Sequence, residues 1–290
     1  MRYNRSMQVL RLPPFGYCAG VERAFSLAKQ AREEHPAAPI YLVGSLIHNE
    51  LAMKPLLKDG FILLDERDGD LCGQIERLPN GAIVVYSAHG HDKASYDAIA
   101  ERKHLVVYDA TCKYIIDNIY KIDSFTNKIL FYCQPNHLEA VAVRGRENVT
   151  IIDPSDPRFP PLEGPIGFLR QSSAEEAASD AVLLEAKRVY DEVVDLDGRC
   201  PSTKLRQTNV LNVPADIDLF VVVGSKDSAN ANRLAKLAKD SHPKADVVLV
   251  LNREELKGMN LVRYEKAAIV SAASSSAETS EDIYEYLKEI

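Results

Sequence analysis

The sequence contains no tryptophan, no apolar run of bilayer length, no excess of positive charge and no closely spaced pair of cysteines. The missing tryptophan excludes little; the other absences exclude whole classes. A membrane-spanning helix needs roughly 20 consecutive apolar residues, and the amino-terminal "MRYNRSMQVLRL" lacks the apolar centre of a secretory signal, so the chain reads as cytoplasmic. A net charge of −7 argues against nucleic acid or an anionic membrane as the main partner, while leaving room for local recognition of a small anion. The five cysteines, an odd number spread over the chain, do not form a disulfide framework; in a reducing compartment they point to thiolate chemistry or metal binding. What is present is ample: 290 residues, 46% of them hydrophobic, suffice for two or three small cores.

Self-similarity is the most informative feature. Cys18 in "GYCAGV", Cys112 in "DATCKY" and Cys200 in "GRCPST" recur at nearly equal intervals, each in a turn ahead of a helical pattern. A hydrophobic strand ending in a polar loop follows each time: "PIYLVGSLIHNE", "KILFYCQPNHLE", "DLFVVVGSKDSANANR". A second helix-and-strand stretch then ends in "AIVVYSAHGH", "PIGFLRQSSAEE" or "AAIVSAASSSAE". Short strands rich in Val, Ile, Leu, Phe and Tyr, alternating with helical stretches, predict an α/β protein of parallel sheets. The expected fold is three quasi-equivalent α/β lobes, a pseudo-threefold trefoil, with segments 14–111, 112–198 and 199–290. No strand is expected just before Cys200, so the amino-terminal strand at 7–13 should complete the third sheet. The Pro- and Asp-rich stretch 153–165 reads as a surface loop.

In parallel sheets ligands collect at the carboxyl ends of strands, where all six loops should lie. Three thiolates from three similar units can meet on the pseudo-threefold axis. They suit a cuboidal iron–sulfur cluster with one iron lacking a protein ligand or, less well, a zinc site completed by a histidine. Buried structural cysteines are the competing reading, since free cysteine is among the most buried residue types. The loops add His48, His89, His137, Glu139, Ser172, Ser173, Ser228, Asn230 and Ser275. Hydroxyls, amides and imidazoles at helix amino termini, with free N–H groups beside them, form a diphosphate site without an arginine cluster. Each residue alone also reads as an N-cap or a hydrogen-bonded structural histidine. Glu139 in "HLE" is a candidate proton donor. Cys133 is expected to be structural, Cys72 peripheral, and His35, His91, His104 and His242 surface residues.

These words taken together, "FGYCAGVERA", "IHNE", "IVVYSAHG", "DATC", "HLEAV", "RQSSA", "VVGSKDSANANRLA" and "SAASSSA", run nearly the full chain and resemble the LytB family. The resemblance implies a trefoil around a 4Fe-4S cluster on Cys18, Cys112 and Cys200, whose fourth iron binds the substrate hydroxyl. It implies reductive dehydroxylation of 4-hydroxy-3-methylbut-2-enyl diphosphate to isopentenyl and dimethylallyl diphosphates, in non-mevalonate isoprenoid synthesis. By position, His48, His89, His137, Ser228, Asn230 and Ser275 would hold the diphosphate. Glu139 would deliver protons, and Ser172 and Thr203 would line the cluster side. A ferredoxin or flavodoxin would donate electrons to a monomer.

The departures from the family pattern are specific. "HPE" is "HLE" here, with Leu138 at the proline; "TQTT" is "RQSS", with Ser172 and Ser173 at the threonines. "NSSN" becomes "DSAN", so that Ala229 stands where a hydroxyl is expected, and "AGAS" becomes "AASS", with Ala273 at the glycine. "DATCP" becomes "DATCK". They keep a second reading open: a divergent paralogue reducing another small allylic alcohol or diphosphate, or a non-catalytic cluster-binding redox protein.

Overall fold

The computed structural model describes residues 7–290. Twelve strands among them form three four-stranded sheets, all pairings parallel. The first sheet contains β2 (Ile40–Val43), β3 (Phe61–Leu64), β4 (Ile83–Tyr86) and β5 (Val106–Asp109), in the order β5-β4-β2-β3. The second contains β6 (Ile129–Tyr132), β7 (Val149–Ile152), β8 (Ile166–Arg170) and β9 (Val193–Asp197), in the order β9-β8-β6-β7. In the third, β1 (Gln8–Leu12), β10 (Leu219–Val223), β11 (Asp246–Val250) and β12 (Lys266–Ser271) stand in the order β1-β12-β10-β11.

One order therefore occurs three times, and β1 holds in the third sheet the edge position that β5 and β9 hold in the others. The reason expected for this is corrected. Cys200 does follow a strand, β9, but that strand pairs with β8 and closes the second sheet. The interior strands "IVVY", "ILFY" and "LFVVV" are buried along their whole length, as parallel strands covered on both faces must be. Edge strands keep partly exposed residues. Side-chain alternation divides the third sheet into two cores. Phe220 and Val222 face Val210 of α8 (Pro201–Leu211) and Leu234 of α9 (Ala229–Ser241), while Val221 and Val223 face Ile283 and Leu287 of α10 (Ala277–Lys288).

The repeat weakens in one connection. Between the outer edge strand and the second interior strand the first sheet has the helix α3 (Leu71–Glu76), and the third has only two 3-10 turns, Arg253–Glu255 and Leu261–Arg263. The second has the expected loop at 153–165, whose Phe159 and Leu162 pack on the core and whose Pro160 carbonyl accepts the Tyr190 hydroxyl at 2.7 Å. In each sheet the chain runs from one interior strand outward to the edge strand beside it and returns to the other interior strand. The crevice between the two interior strands is thus a topological switch point, where open α/β sheets bind ligands.

The chain forms two compact units, one of residues up to Val21 with His48–Lys54 and Pro201–Ile290, the other of Glu22–Ile47 with Pro55–Cys200. Among the described residues no helix is long and apolar enough to cross a membrane.

Candidate active site

Each of the three repeat cysteines sits immediately before a helix: Cys18 before α1 (Ala19–Glu34), Cys112 before α5 (Lys113–Ser124) and Cys200 before α8. Their backbones are held in one way. The N–H of Cys18 donates to the Ala273 carbonyl at 3.0 Å, that of Cys112 to Ala88 at 3.0 Å and that of Cys200 to Ser172 at 2.8 Å. Every acceptor lies two residues past the second interior strand of its sheet, namely β12, β4 or β8. The three cysteines are half-buried, and none of the five is in a disulfide.

A second relation also recurs three times. In the second turn of the helix after one cysteine, a side chain donates to a carbonyl in the loop before another. Arg23 of α1 reaches the carbonyls of Thr111 and Asp109, both at 3.1 Å. Asn118 of α5 reaches Gly198 at 2.9 Å, and Arg206 of α8 reaches Gly16 at 2.8 Å. Arg206 is fully buried and also donates to the carbonyls of Ser271 at 2.8 Å and Ser202 at 3.2 Å. Gly198 is obligatory here: its φ is +103°, and a Cβ would lie 2.4 Å from the Arg170 carbonyl oxygen. Behind it, fully buried Arg170 pairs with Asp195 at 2.5 Å and Asp180 at 2.7 Å, and Arg199 pairs with Asp197 at 2.6 Å. Against the effect of burial, hydrogen bonds from Arg170 and from the Asp197 N–H hold the Asp195 carboxyl below its ordinary range. The turn carrying Cys200 is therefore braced on both sides.

In the Glu22–Cys200 unit the loops after β6 and β8 are locked together. Glu139, only 3% exposed, lies in the short helix α6 (Leu138–Val141). Its Oε1 accepts the Ser172 hydroxyl at 2.5 Å and its Oε2 accepts the Ser172 N–H at 2.9 Å. His137 caps α6, its Nδ1 accepting the Glu139 N–H at 3.2 Å, which places the proton of a neutral ring on Nε2. Gln171, fully buried, accepts the Gln134 N–H at 3.2 Å and donates to Ser173 Oγ at 3.0 Å. Cys133 is buried with its Sγ 3.5 Å from Gln171 Oε1. His89 is half-buried in the loop after β4, with its N–H on Ser87 Oγ at 3.3 Å.

In the other unit, Ser228 caps α9 by accepting the Ala231 N–H at 3.3 Å, and the Ser275 hydroxyl donates to the Val223 carbonyl at 2.8 Å. Both side-chain polar atoms of Asn230 are shut off from solvent without a hydrogen-bond partner. Thr203 is buried in the first turn of α8. His48 is half-buried just before α2 (Glu50–Lys58), whose N-terminal Ala52 N–H is accepted by Asn49 Oδ1 at 3.1 Å.

Two expectations fail. His91 and His242 are not surface residues. His91 stacks on Tyr96, and burial pushes its pKa down; the His242 ring nitrogen Nε2 is 3.0 Å from the Val213 carbonyl. Arg206 and Asn49 in one unit, and Gln171 and Asn118 in the other, tie loops that carry candidate residues within their own unit; they were missed, because in sequence each is a polar residue on a helix or in a loop with nothing to mark its burial.

Among the described residues no group of three or more His, Cys, Asp or Glu could hold a single metal ion, which a mononuclear zinc centre requires at bond lengths of about 2.0–2.3 Å. A polynuclear cluster makes a looser demand, one thiolate for each of several irons. Each of the three cysteines, in a like backbone environment at the start of a helix, is chemically fit to supply one such thiolate.

Residues 9–288 match the family model described as LytB protein. A 4-hydroxy-3-methylbut-2-enyl diphosphate reductase of Acidothermus cellulolyticus is 32% identical over 254 residues, 83% of this chain and 71% of its own length. The protein of that name from Shewanella pealeana is 30% identical over 282 residues, 93% of this chain and 87% of its own. The solved structure of E-1-hydroxy-2-methyl-but-2-enyl-4-diphosphate reductase from Plasmodium falciparum is similar with a TM-score of 0.82 at 25% identity, covering 97% of this chain and 88% of that one. A second solved structure, of (E)-4-hydroxy-3-methyl-but-2-enyl diphosphate reductase, shares the fold with a TM-score of 0.65 at 22% identity, covering 98% of this chain and 100% of that one.

Proposed function

Because the chain belongs to the LytB family, whose model it matches from residue 9 to residue 288, we propose that it is an iron–sulfur oxidoreductase of non-mevalonate isoprenoid synthesis. It reductively removes the hydroxyl of 4-hydroxy-3-methylbut-2-enyl diphosphate. Two electrons and two protons enter; water leaves, and isopentenyl and dimethylallyl diphosphates are formed. Cys18, Cys112 and Cys200 hold a 4Fe-4S cluster with one iron free of protein ligands, each from its own repeat of the α/β trefoil. When bound, the cluster supplies the electrons and a Lewis acid toward the departing hydroxyl.

The observation that carries this reading is the contact between Glu139 and Ser172. Ser172 gives its hydroxyl hydrogen and its N–H to the Glu139 carboxyl, while its carbonyl takes the Cys200 N–H. A buried acid is thereby one residue from a proposed cluster ligand. When Glu139 carries a proton, its O–H can donate to Ser172 Oγ and the Ser172 hydroxyl can turn to donate to the substrate hydroxyl oxygen, so that proton has a route through Ser172 to the oxygen that leaves as water. Thr203 lines the cluster side with Ser172. His48, His89, His137, Ser228, Asn230 and Ser275 hold the diphosphate, with the N–H groups at the start of α9 adding positive potential. A neutral His137 ring with its proton on Nε2 has the donor chemistry an anionic oxygen needs. The electron donor is a ferredoxin or flavodoxin, and the enzyme acts as a cytoplasmic monomer.

The test is anaerobic purification, iron and sulfide analysis, and a reductant-driven assay with 4-hydroxy-3-methylbut-2-enyl diphosphate. The expected result is four irons and four sulfides per chain, a broad absorption near about 400 nm and consumption of the diphosphate. A protein that carries the cluster yet consumes none of this substrate would overturn the reaction and favour a redox protein or another substrate.

A further inference from the structure

Four serines stand in and beside the loop that leaves β12, and three of them have hydrogen-bond partners. Ser271 Oγ accepts from Ser280 Oγ at 2.9 Å, Ser275 donates to the Val223 carbonyl at 2.8 Å, and Ser276 Oγ accepts the Thr279 N–H at 3.0 Å while capping α10. Ser274 differs. It is 8% exposed, and its hydroxyl is cut off from solvent with no hydrogen-bond partner. Its backbone is fixed, the carbonyl accepting Asn49 Nδ2 at 2.8 Å, so the loop is pinned beside the orphaned group. Buried hydroxyls left unsatisfied are rare in native proteins, because desolvation is then uncompensated.

The side chain of Asn230, in the first turn of α9, is orphaned in the same way. The loop after β12 and the start of α9 converge over Gly224: a Cβ there would lie 2.6 Å from Ala231 Cβ and 3.0 Å from Ala272 Cβ. Two unsatisfied polar side chains thus belong to two adjacent segments at the carboxyl end of the third sheet, beside the amino terminus of a 13-residue helix. The family pattern departs here twice, with opposite sign. A hydroxyl is missing at Ala229, and one is present at Ser274, where the pattern has alanine.

We propose that the Ser274 hydroxyl donates a hydrogen bond to the diphosphate of the substrate, in place of the hydroxyl absent at position 229. The inference rests on the reading of this site as one for an organic diphosphate and adds a specificity-determining residue to it. The donor set would then be restored in number while being shifted from the helix turn to the loop after β12.

The experiment is calorimetric titration of inorganic pyrophosphate into the anaerobic holoenzyme, with the thermal midpoint of the ligand-free protein measured alongside. Ser274→Ala is expected to weaken pyrophosphate binding by about tenfold or more, the range for a hydrogen bond to a charged group. Its thermal midpoint should stay level or rise, since an unsatisfied group has been removed. Adding Ala229→Ser to that variant should recover part of the affinity. Unchanged affinity in Ser274→Ala, a lowered midpoint, or no pyrophosphate binding by the unaltered enzyme would overturn the proposal. An enzyme that binds pyrophosphate through Ser274 but leaves 4-hydroxy-3-methylbut-2-enyl diphosphate unconsumed would instead refute the proposed reaction, with the anion site intact.

Discussion

Serine at position 172 keeps the hydroxyl of the family's threonine and loses the methyl that restricts χ1. The Glu139 carboxyl compensates, because it accepts both the hydroxyl and the N–H of the same residue and so fixes the Ser172 rotamer from outside. Leu138 in place of proline has a similar answer: α6 is capped by His137 Nδ1 and its turn is set without a ring. The clamp also defines a clean substitution. Glutamine at 139 has the same shape and can still hydrogen-bond to Ser172, but it cannot give up a proton. Glu139→Gln is therefore expected to keep the cluster spectrum and the thermal midpoint, while turnover falls on the order of 10²- to 10⁴-fold, the usual worth of a positioned acid. Full turnover in that variant would remove Glu139 from proton delivery.

At the scale of elements, each helix that starts after a cysteine also reaches a carbonyl in a loop that leads to another cysteine. Arg23, Asn118 and Arg206 make these ties. Each satisfies a carbonyl that a tight turn leaves without a strand or helix partner, and so stiffens the turn that presents the thiolate. Asn118 is the best probe because it is buried and makes a neutral tie on a helix with an exposed control position, Tyr120, at 72% exposure. Removing a buried donor and stranding its acceptor costs about 1–3 kcal/mol. Asn118→Ala should lower the unfolding free energy by that amount and speed iron release to a chelator severalfold, whereas Tyr120→Ala should do neither. Equal release rates for the two variants would mean that the Gly198 turn does not need its tie. None of these three residues was legible as a site residue, since a polar side chain in the second turn of a helix ordinarily faces water. His91 and His242 were misjudged for the matching reason: periodicity marks buried apolar residues, and it says nothing of a ring buried through hydrogen bonds and aromatic packing.

At the scale of the whole molecule, the repeat was legible because its three cysteines, six loops and six interior strands recur in one order. Near-continuous runs such as "LFVVV" identify buried parallel strands without further help. The edge strands were harder. β9 reads "VVDLD", half polar, and its partner could only be named once the other sheets showed that each preceding strand serves the sheet of the previous repeat. By the same rule β1 pairs with β12, and the first and last described strands share a sheet. This cyclic scheme treats Cys18, Cys112 and Cys200 alike while giving Cys72 and Cys133 no equivalent position. Cys72 lies in α3, which the other two repeats lack, and burial together with Asp70 pushes its thiol pKa up, the reverse of what a thiolate ligand needs. Cys133 is fully buried against Gln171. Single substitutions should therefore sort into two classes when iron per chain is measured after anaerobic reconstitution. Cys112→Ser, like its two counterparts, loses most of its iron and all turnover, whereas Cys72→Ser keeps both and Cys133→Ser keeps the iron, with serine retaining the hydrogen bond to Gln171. A full complement of iron in Cys112→Ser, or its loss in Cys72→Ser, would overturn the proposed assignment of the cluster ligands.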